Sequence, residues 1–192
     1  MAQHRQARTV TNAQLTKALK ACKTLRHPLR NKIIILLSFK AGPRAGEIAQ
    51  LEWPMLLNAQ GKIATTLYLP GSITKYCRAR RIPIHPDLKA ALLSLGRTTG
   101  FTGPVVLSER GKAMTAKSVV NWFNHLYKQA GLEGCSSHSG RRTFVTQAAR
   151  LVHKSGGSLR DVQLLAGHQS IVTTQRYIDG DSDAQRRLVR LL

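Results

Sequence analysis

The chain of 192 residues carries 30 Lys and Arg against 9 Asp and Glu, a formal net charge of +21, and 42% of its residues are hydrophobic. That apolar content separates it from highly charged disordered chains and suits one domain with its own core; the charge repels itself in a compact fold unless a polyanion offsets it. Nucleic acid is therefore the leading partner and an anionic membrane surface the second, while a membrane-spanning protein is excluded because the longest apolar run, Ile33 to Leu37, is far too short.

Residues 1–10 read as a basic arm without the apolar stretch of a secretory signal. Thr11 to Gln14 is a capping box that opens a first helix with Leu15, Ala18, Leu19 and Cys22 at apolar positions. A second helix, about Pro28 to Ala41, holds the apolar run and stops at Gly42, which marks it as the buried central one. A short third helix is predicted from Pro43 or Arg44 to Glu52. Ile63 to Leu69 and Ile73 to Ile84, with Pro70-Gly71 between them, suggest a hairpin. Helical pattern returns at Pro86 to Leu95, a short strand is expected at Val105 to Ser108, and Thr115 caps a helix that ends at Ala130 before Gly131. Another helix is expected from about Ser139 to Val152, and Ser158 with Asp161 boxes the start of the next, Leu159 to Ala166, which stops at Gly167. Two short helical pieces, Ser170 to Tyr177 and Asp183 to Leu191, complete a mainly α fold with a small antiparallel β-sheet, an α+β class. Cys22, Cys77 and Cys135 fit neither a disulfide framework nor a zinc spacing, so a reducing cytoplasm and no structural metal are expected.

Four stretches carry chemistry. Arg44 follows a helix stop, with the Glu47 carboxylate three residues later on the same face, where it can fix the guanidinium toward a phosphate; alone, this is also the pattern of a surface ion pair. Lys75, Arg78, Arg80 and Arg81 crowd the expected hairpin, suited to reaching a DNA groove or to protecting a strand edge. His138 and Arg141 stand one helical turn apart, an imidazole for acid–base work beside a cationic clamp, with Arg142 next to them. His168 ends a helix and Tyr177 follows; singly they read as a polar loop residue and a core or rim tyrosine. Taken together in this order, the residues form a set of cations and histidines ending in an oxygen nucleophile, which suits phosphoryl transfer to tyrosine.

The order and local context resemble the tyrosine recombinase (phage integrase) family, catalytic domain, over about residues 11–180. Gly42 to Glu47 looks like its first arginine box, Thr74-Lys75 like its hairpin lysine, and His138 to Thr143 like its second box. Leu164 to Ser170, through Thr173 to Tyr177, resembles its closing box with the nucleophile. Two positions depart from the family's habit, Pro43 where it usually has Leu or Met and Gly140 where it usually has an apolar residue, and both are expected to loosen positioning. Because only about ten residues precede the first helix, the family's usual N-terminal core-binding domain is expected to be absent from this chain. The chain is thus expected to be either an excised catalytic domain or one of the short recombinases.

The resemblance implies a site-specific DNA recombinase, bacterial or phage in origin and cytoplasmic. Its Tyr177 attacks the scissile phosphate and forms a 3′-phosphotyrosyl link. Arg44 and Arg141 hold the non-bridging oxygens with help from His138 and His168, His138 serves as base, and Lys75 protonates the leaving 5′-oxygen. Glu47 orients Arg44, while Arg78, Arg80, Arg81 and Arg142 bind DNA. No cofactor, metal or ATP is implied. The partner is double-stranded DNA, on which a tetramer forms by exchange of the tail, residues 181–192, from subunits that are monomeric when free. Two rivals stay open, a type IB topoisomerase-like nicking-closing enzyme and a non-catalytic DNA-binding module built on Ser158 to Tyr177.

Overall fold

The computed structural model describes residues 7–177 and 189–190. The chain divides into two compact units, Met1–Phe144 and Val145–Leu192.

The first unit begins with helix α1 (Asn12–Lys23), whose capping box forms as the sequence predicts: the Thr11 amide donates to Gln14 Oε1 at 2.9 Å and the Gln14 amide to Thr11 Oγ1 at 3.3 Å. Helix α2 (Pro28–Lys40) is buried along its whole apolar run, Ile33 to Leu37 and Phe39, as expected of a helix that is hydrophobic all round. It packs against α1, against the short helix α3 (Ala45–Ala49) and against helix α4 (Pro86–Thr99), while helix α5 (Ala116–Gln129) covers α1 and α3. Between α3 and α4 lies an antiparallel pair, β1 (Thr66–Leu69) and β2 (Arg80–Pro83), in which Leu67 and Leu69 of one strand and Ile82 of the other face inward. Helix α6 (Ser139–Leu151) starts in this unit and continues into the second.

In the second unit, α7 (Leu159–Ala166) starts at the expected Ser158–Asp161 capping box and ends at Gly167, whose φ of +64° supplies the left-handed turn. Helix α8 (Ile171–Gln175) packs on α7. The mainly helical class with one small antiparallel sheet is the one the sequence implies. Among the described residues, no helix is long and apolar enough to cross a membrane.

Several elements differ from the sequence reading. The strands are shorter than expected, and Pro70-Gly71 does not join them as a tight turn: residues 70–79 form a folded connection containing a 3₁₀ turn over Gly71–Ile73. Thr74 Oγ1 lies within hydrogen-bond distance of the carbonyls of Gly71 and Arg78, at 3.1 and 3.0 Å, which holds this connection closed and delays the second strand to Arg80. Helix α3 ends early because the Trp53 amide, which a longer helix would turn to the Ala49 carbonyl, donates instead to the Gly103 carbonyl at 3.0 Å, and the Val105 amide donates to the Leu51 carbonyl at 2.9 Å. That bond and an isolated bridge between Leu107 and Ala113 replace the expected strand at Val105 to Ser108. Except for Val189 and Arg190, the predicted tail helix Asp183 to Leu191 lies outside the described residues.

Gly140 does not loosen the start of α6. A Cβ there would stand 2.2 Å from Ser38 Oγ and 2.9 Å from the Phe39 ring, so the missing side chain lets α6 approach α2 closely. Gly140→Ala should therefore destabilise the chain by about 1–3 kcal/mol through overpacking, read from the urea midpoint. Adding Ser38→Ala removes the nearest atom and should restore part of the loss.

Candidate active site

The first unit gathers its polar side chains where α2 ends. Gly42, at φ +68°, closes α2 with its amide on the Leu37 carbonyl at 2.9 Å, and the Phe144 ring of α6 lies where a Cβ would stand. The turn delivers Arg44 to the cap position of α3. From the third position of that helix Glu47 reaches back, accepting the Arg44 amide on Oε2 at 2.7 Å and Arg44 Nη1 on Oε1 at 3.2 Å. The ion pair expected between Arg44 and Glu47 is present, with Glu47 only 2% exposed and the Arg44 side chain 27%.

Arg80 departs from expectation. Its side chain, 7% exposed, does not point into solvent with its neighbours but grips both oxygens of Glu47, Nη1 to Oε1 at 2.9 Å and Nη2 to Oε2 at 2.6 Å. Its guanidinium is therefore committed to a carboxylate instead of standing free for DNA. Burial pushes the Glu47 carboxyl up, but the hydrogen bonds and charge of Arg80, together with the Arg44 amide and charge, outweigh it and hold the group below the ordinary glutamate range.

Lys75 lies in the connection between the strands, exposed, with Nζ 5.3 Å from the centroid of the Tyr76 ring. Arg44 approaches the same ring, its guanidinium carbon 5.9 Å from the centroid, so Tyr76 stands between the two cations. Arg78 is exposed beside them, and exposed Arg81 lies over the ring of Tyr68, its cross-strand partner, at 5.4 Å.

His138 precedes α6, and its carbonyl accepts the Arg142 amide at 2.8 Å. Nδ1 of its ring is 3.3 Å from Ser137 Oγ. Partial burial, followed by the charges of Arg141 and Arg44, pushes its pKa below the ordinary histidine value. Arg141 is buried and donates from Nη1 to the Gly42 carbonyl at 2.6 Å. One turn thus carries both Arg44 and the acceptor for Arg141. Arg142 follows, half-buried.

The second unit holds the other two candidates. His168 is buried after the end of α7, with Nδ1 3.0 Å from the Oγ1 of buried Thr174, and its carbonyl accepts Gln163 Nε2 at 3.0 Å. Tyr177, half-buried, stacks on the His168 ring with centroids 5.5 Å apart and planes inclined by 20°. Within the first unit the structure brings together Arg44, Glu47, Arg80, His138 and Arg141, with Lys75 reaching them through Tyr76, and within the second it brings together His168, Thr174 and Tyr177. Sequence reasoning missed Tyr76, Thr174 and the inward turn of Arg80. Only the last left a signal, since Arg80 stands two residues from Ile82 and so shares its face of the strand.

Residues 8–183 match the phage integrase family. The chain belongs to that family. Relatives of this phage integrase family chain include the tyrosine recombinase XerC of Lactobacillus delbrueckii subsp. bulgaricus, 28% identical over 153 residues that make up 78% of this chain and 50% of the relative. XerC of Pelobacter propionicus is 35% identical, covering 78% of this chain and 47% of the relative. The family chain thus spans about half the length of the curated relatives it matches. Among solved structures, the XerA recombinase superposes with a TM-score of 0.74 at 20% identity, covering 100% of this chain and 65% of that one. A lambda integrase dimer bound to a COC′ core site gives a TM-score of 0.71 at 20% identity, covering 94% and 62%. These likenesses show that the fold is that of the family.

Glu47→Gln in this phage integrase family chain should cost about 3–5 kcal/mol at pH 7, because it leaves buried Arg80 without its counter-charge. The folded-state pKa of Glu47 lies below the unfolded value of about 4.3, so the stabilisation is fully present above that value and is lost as the pH falls through the folded-state value. Urea midpoints of the two proteins should therefore lie apart at neutral pH and converge below pH 4.

Proposed function

We propose that the chain is the catalytic part of a site-specific DNA recombinase that cuts and rejoins strands through a 3′-phosphotyrosyl intermediate. The observation that carries this reading is the cationic cluster of the first unit, in which the turn at Gly42 both leads to Arg44 and gives its carbonyl to Arg141, in a chain of the phage integrase family. Cations so placed favour an anion, and the charge that builds up on a phosphate in its transition state favours them further.

In this reading the Tyr177 oxygen attacks the scissile phosphorus, and the bond from phosphorus to the 5′-oxygen breaks. His138 takes the phenol proton, which its lowered pKa permits by keeping the ring neutral at pH 7. Lys75 gives a proton to the leaving 5′-oxygen. Arg44 and Arg141 hold the non-bridging oxygens, and His168 adds a hydrogen bond to them. Attack by a 5′-hydroxyl on the phosphotyrosine reverses the step, and a hydroxyl from a partner strand exchanges strands. The phosphodiester energy stays in the protein–DNA bond, so no ATP is consumed, and the arginines take the charge-neutralising role that a metal would otherwise fill. Arg78, Arg81 and Arg142 lie on or beside the elements that carry Lys75 and Arg141 and add phosphate contacts. Recombination pairs subunits on DNA, and residues 181–192 are the segment assigned to docking on a neighbour in a tetramer. The protein acts in the cytoplasm.

Two measurements test the reading. Incubated without metal on nicked duplex carrying its own site, the protein should form a covalent adduct that is lost in Tyr177→Phe while duplex binding stays and weakens steeply with salt. Binding without an adduct in the unsubstituted protein would make the chain a DNA-binding module. In the free protein the His138 ring should titrate below the ordinary value of about 6.5, and Arg141→Met should move its midpoint up, read by NMR.

A further inference from the structure

We propose that Arg80 is a positioning residue for Arg44, acting through Glu47. The inference rests on the reading that Arg44 contacts the scissile phosphate. Glu47 accepts four donors, two on each oxygen: Arg44 Nη1 and Arg80 Nη1 on Oε1, and the Arg44 amide and Arg80 Nη2 on Oε2. The Arg80 bonds are the shorter of the side-chain contacts, at 2.9 and 2.6 Å, against 3.2 Å for Arg44 Nη1. A planar fork facing a carboxylate edge is the strongest way to bind it, and Arg80 occupies that edge.

The consequence falls on Arg44. With the edge taken, Arg44 holds Glu47 through one side-chain N–H of its five, and the rest of its fork stays turned toward the Tyr76 ring and solvent. Without Arg80, a buried carboxylate with vacant lone pairs faces the nearest remaining guanidinium, and Arg44 would turn its own fork inward to fill them. Arg80 thus keeps the anion-binding edge of Arg44 outward by occupying Glu47 first. Among the described residues the buried Arg80 Nε finds no acceptor. A group held only to neutralise charge would not need that cost, whereas one aimed with both Nη atoms at Glu47 incurs it as a consequence of the geometry.

The same contact ties two pieces of the site together. Arg80 opens β2, directly after the connection that carries Lys75 and Tyr76, while Glu47 belongs to α3, which Arg44 caps. The Arg80–Glu47 bond therefore also fixes the Lys75 connection beside Arg44.

The test is single-turnover cleavage at saturating nicked duplex, in full-length chain, for the unsubstituted protein, Arg80→Met and Arg80→Met with Glu47→Gln, each at matched folded fraction. Arg80→Met should lower the cleavage rate about tenfold or more, with duplex affinity within about threefold, because Arg44 is misaimed and not lost. The double variant should cleave faster than Arg80→Met, since a neutral Gln no longer draws the Arg44 fork inward. A merely structural Arg80 would leave the rate of the folded, saturated protein unchanged, and that result overturns the proposal. If Arg80→Met does not fold, Arg80→Lys takes its place: it keeps the charge but not the two-oxygen grip, so the tenfold loss is again expected and an unchanged rate again overturns the proposal.

A readout without catalysis separates this inference from the recombinase reading. The Arg44 guanidinium ¹⁵N resonance, assigned by its loss in Arg44→Lys, should shift in the Arg80 variant as the fork turns inward. If the unsubstituted protein forms no adduct, the recombinase reading fails by itself, and the Arg44 resonance decides the proposal: a shift supports it and an unmoved signal overturns it.

Discussion

One buried carboxylate sets the charge geometry of the first unit. Glu47 is nearly inaccessible to water, and an isolated charge in that position is costly enough that it would take up a proton. Two guanidiniums and a backbone amide reverse the balance, and its pKa moves down. The three side chains together keep one net positive charge, and it sits at Arg44, the most exposed of them. Arg141 adds a second. Its guanidinium is oriented by the Gly42 carbonyl, and after burial its charge is the next cause that holds the His138 pKa down. The region is thus cationic by construction.

Close approach of backbones makes that field precise in position. The apolar run of helix α2 is buried, and α6 rests on that helix where Gly140 lies against Ser38 and Phe39. At the other contact the Phe144 ring of α6 fills the space beside Gly42, whose left-handed conformation sends the chain on to Arg44. Both arginines are thereby referred to one turn: Arg44 follows it covalently and Arg141 hydrogen-bonds to it. A shift of α6 along α2 would move Arg141 and the Gly42 carbonyl relative to each other, and that 2.6 Å bond opposes it.

What was legible in the sequence was local. The capping boxes at Thr11 and Ser158, the left-handed stops at Gly42 and Gly167, and the Arg44–Glu47 pair all involve residues within a few positions of each other, where helix geometry decides the outcome. The order of the boxes then carried the fold, which the family match bears out. The connection between the strands was not legible, because Pro70-Gly71 is an ordinary turn signal and its rejection depends on Thr74 bonding to two carbonyls across the connection. Arg80 was misjudged for a related reason. In a run with Arg78 and Arg81 its charge looks interchangeable with theirs; alternation sets it apart from Arg81, but Arg78 has the same parity, and only a strand that starts at Arg80, seven residues later than the sequence suggests, separates those two.

The second unit follows the opposite electrostatic logic from the first. Its candidate pair is a phenol stacked on an imidazole, and the partners described for the histidine are neutral: the Thr174 hydroxyl at Nδ1 and, at its backbone carbonyl, the Gln163 amide. Helix α6 is the covalent link between the two units: it begins at Ser139, carries Arg141 and runs on to Leu151. For a chain of +21 an anionic phosphate backbone is the partner that its electrostatics favour most, because every phosphate contact offsets part of a charge that otherwise repels itself.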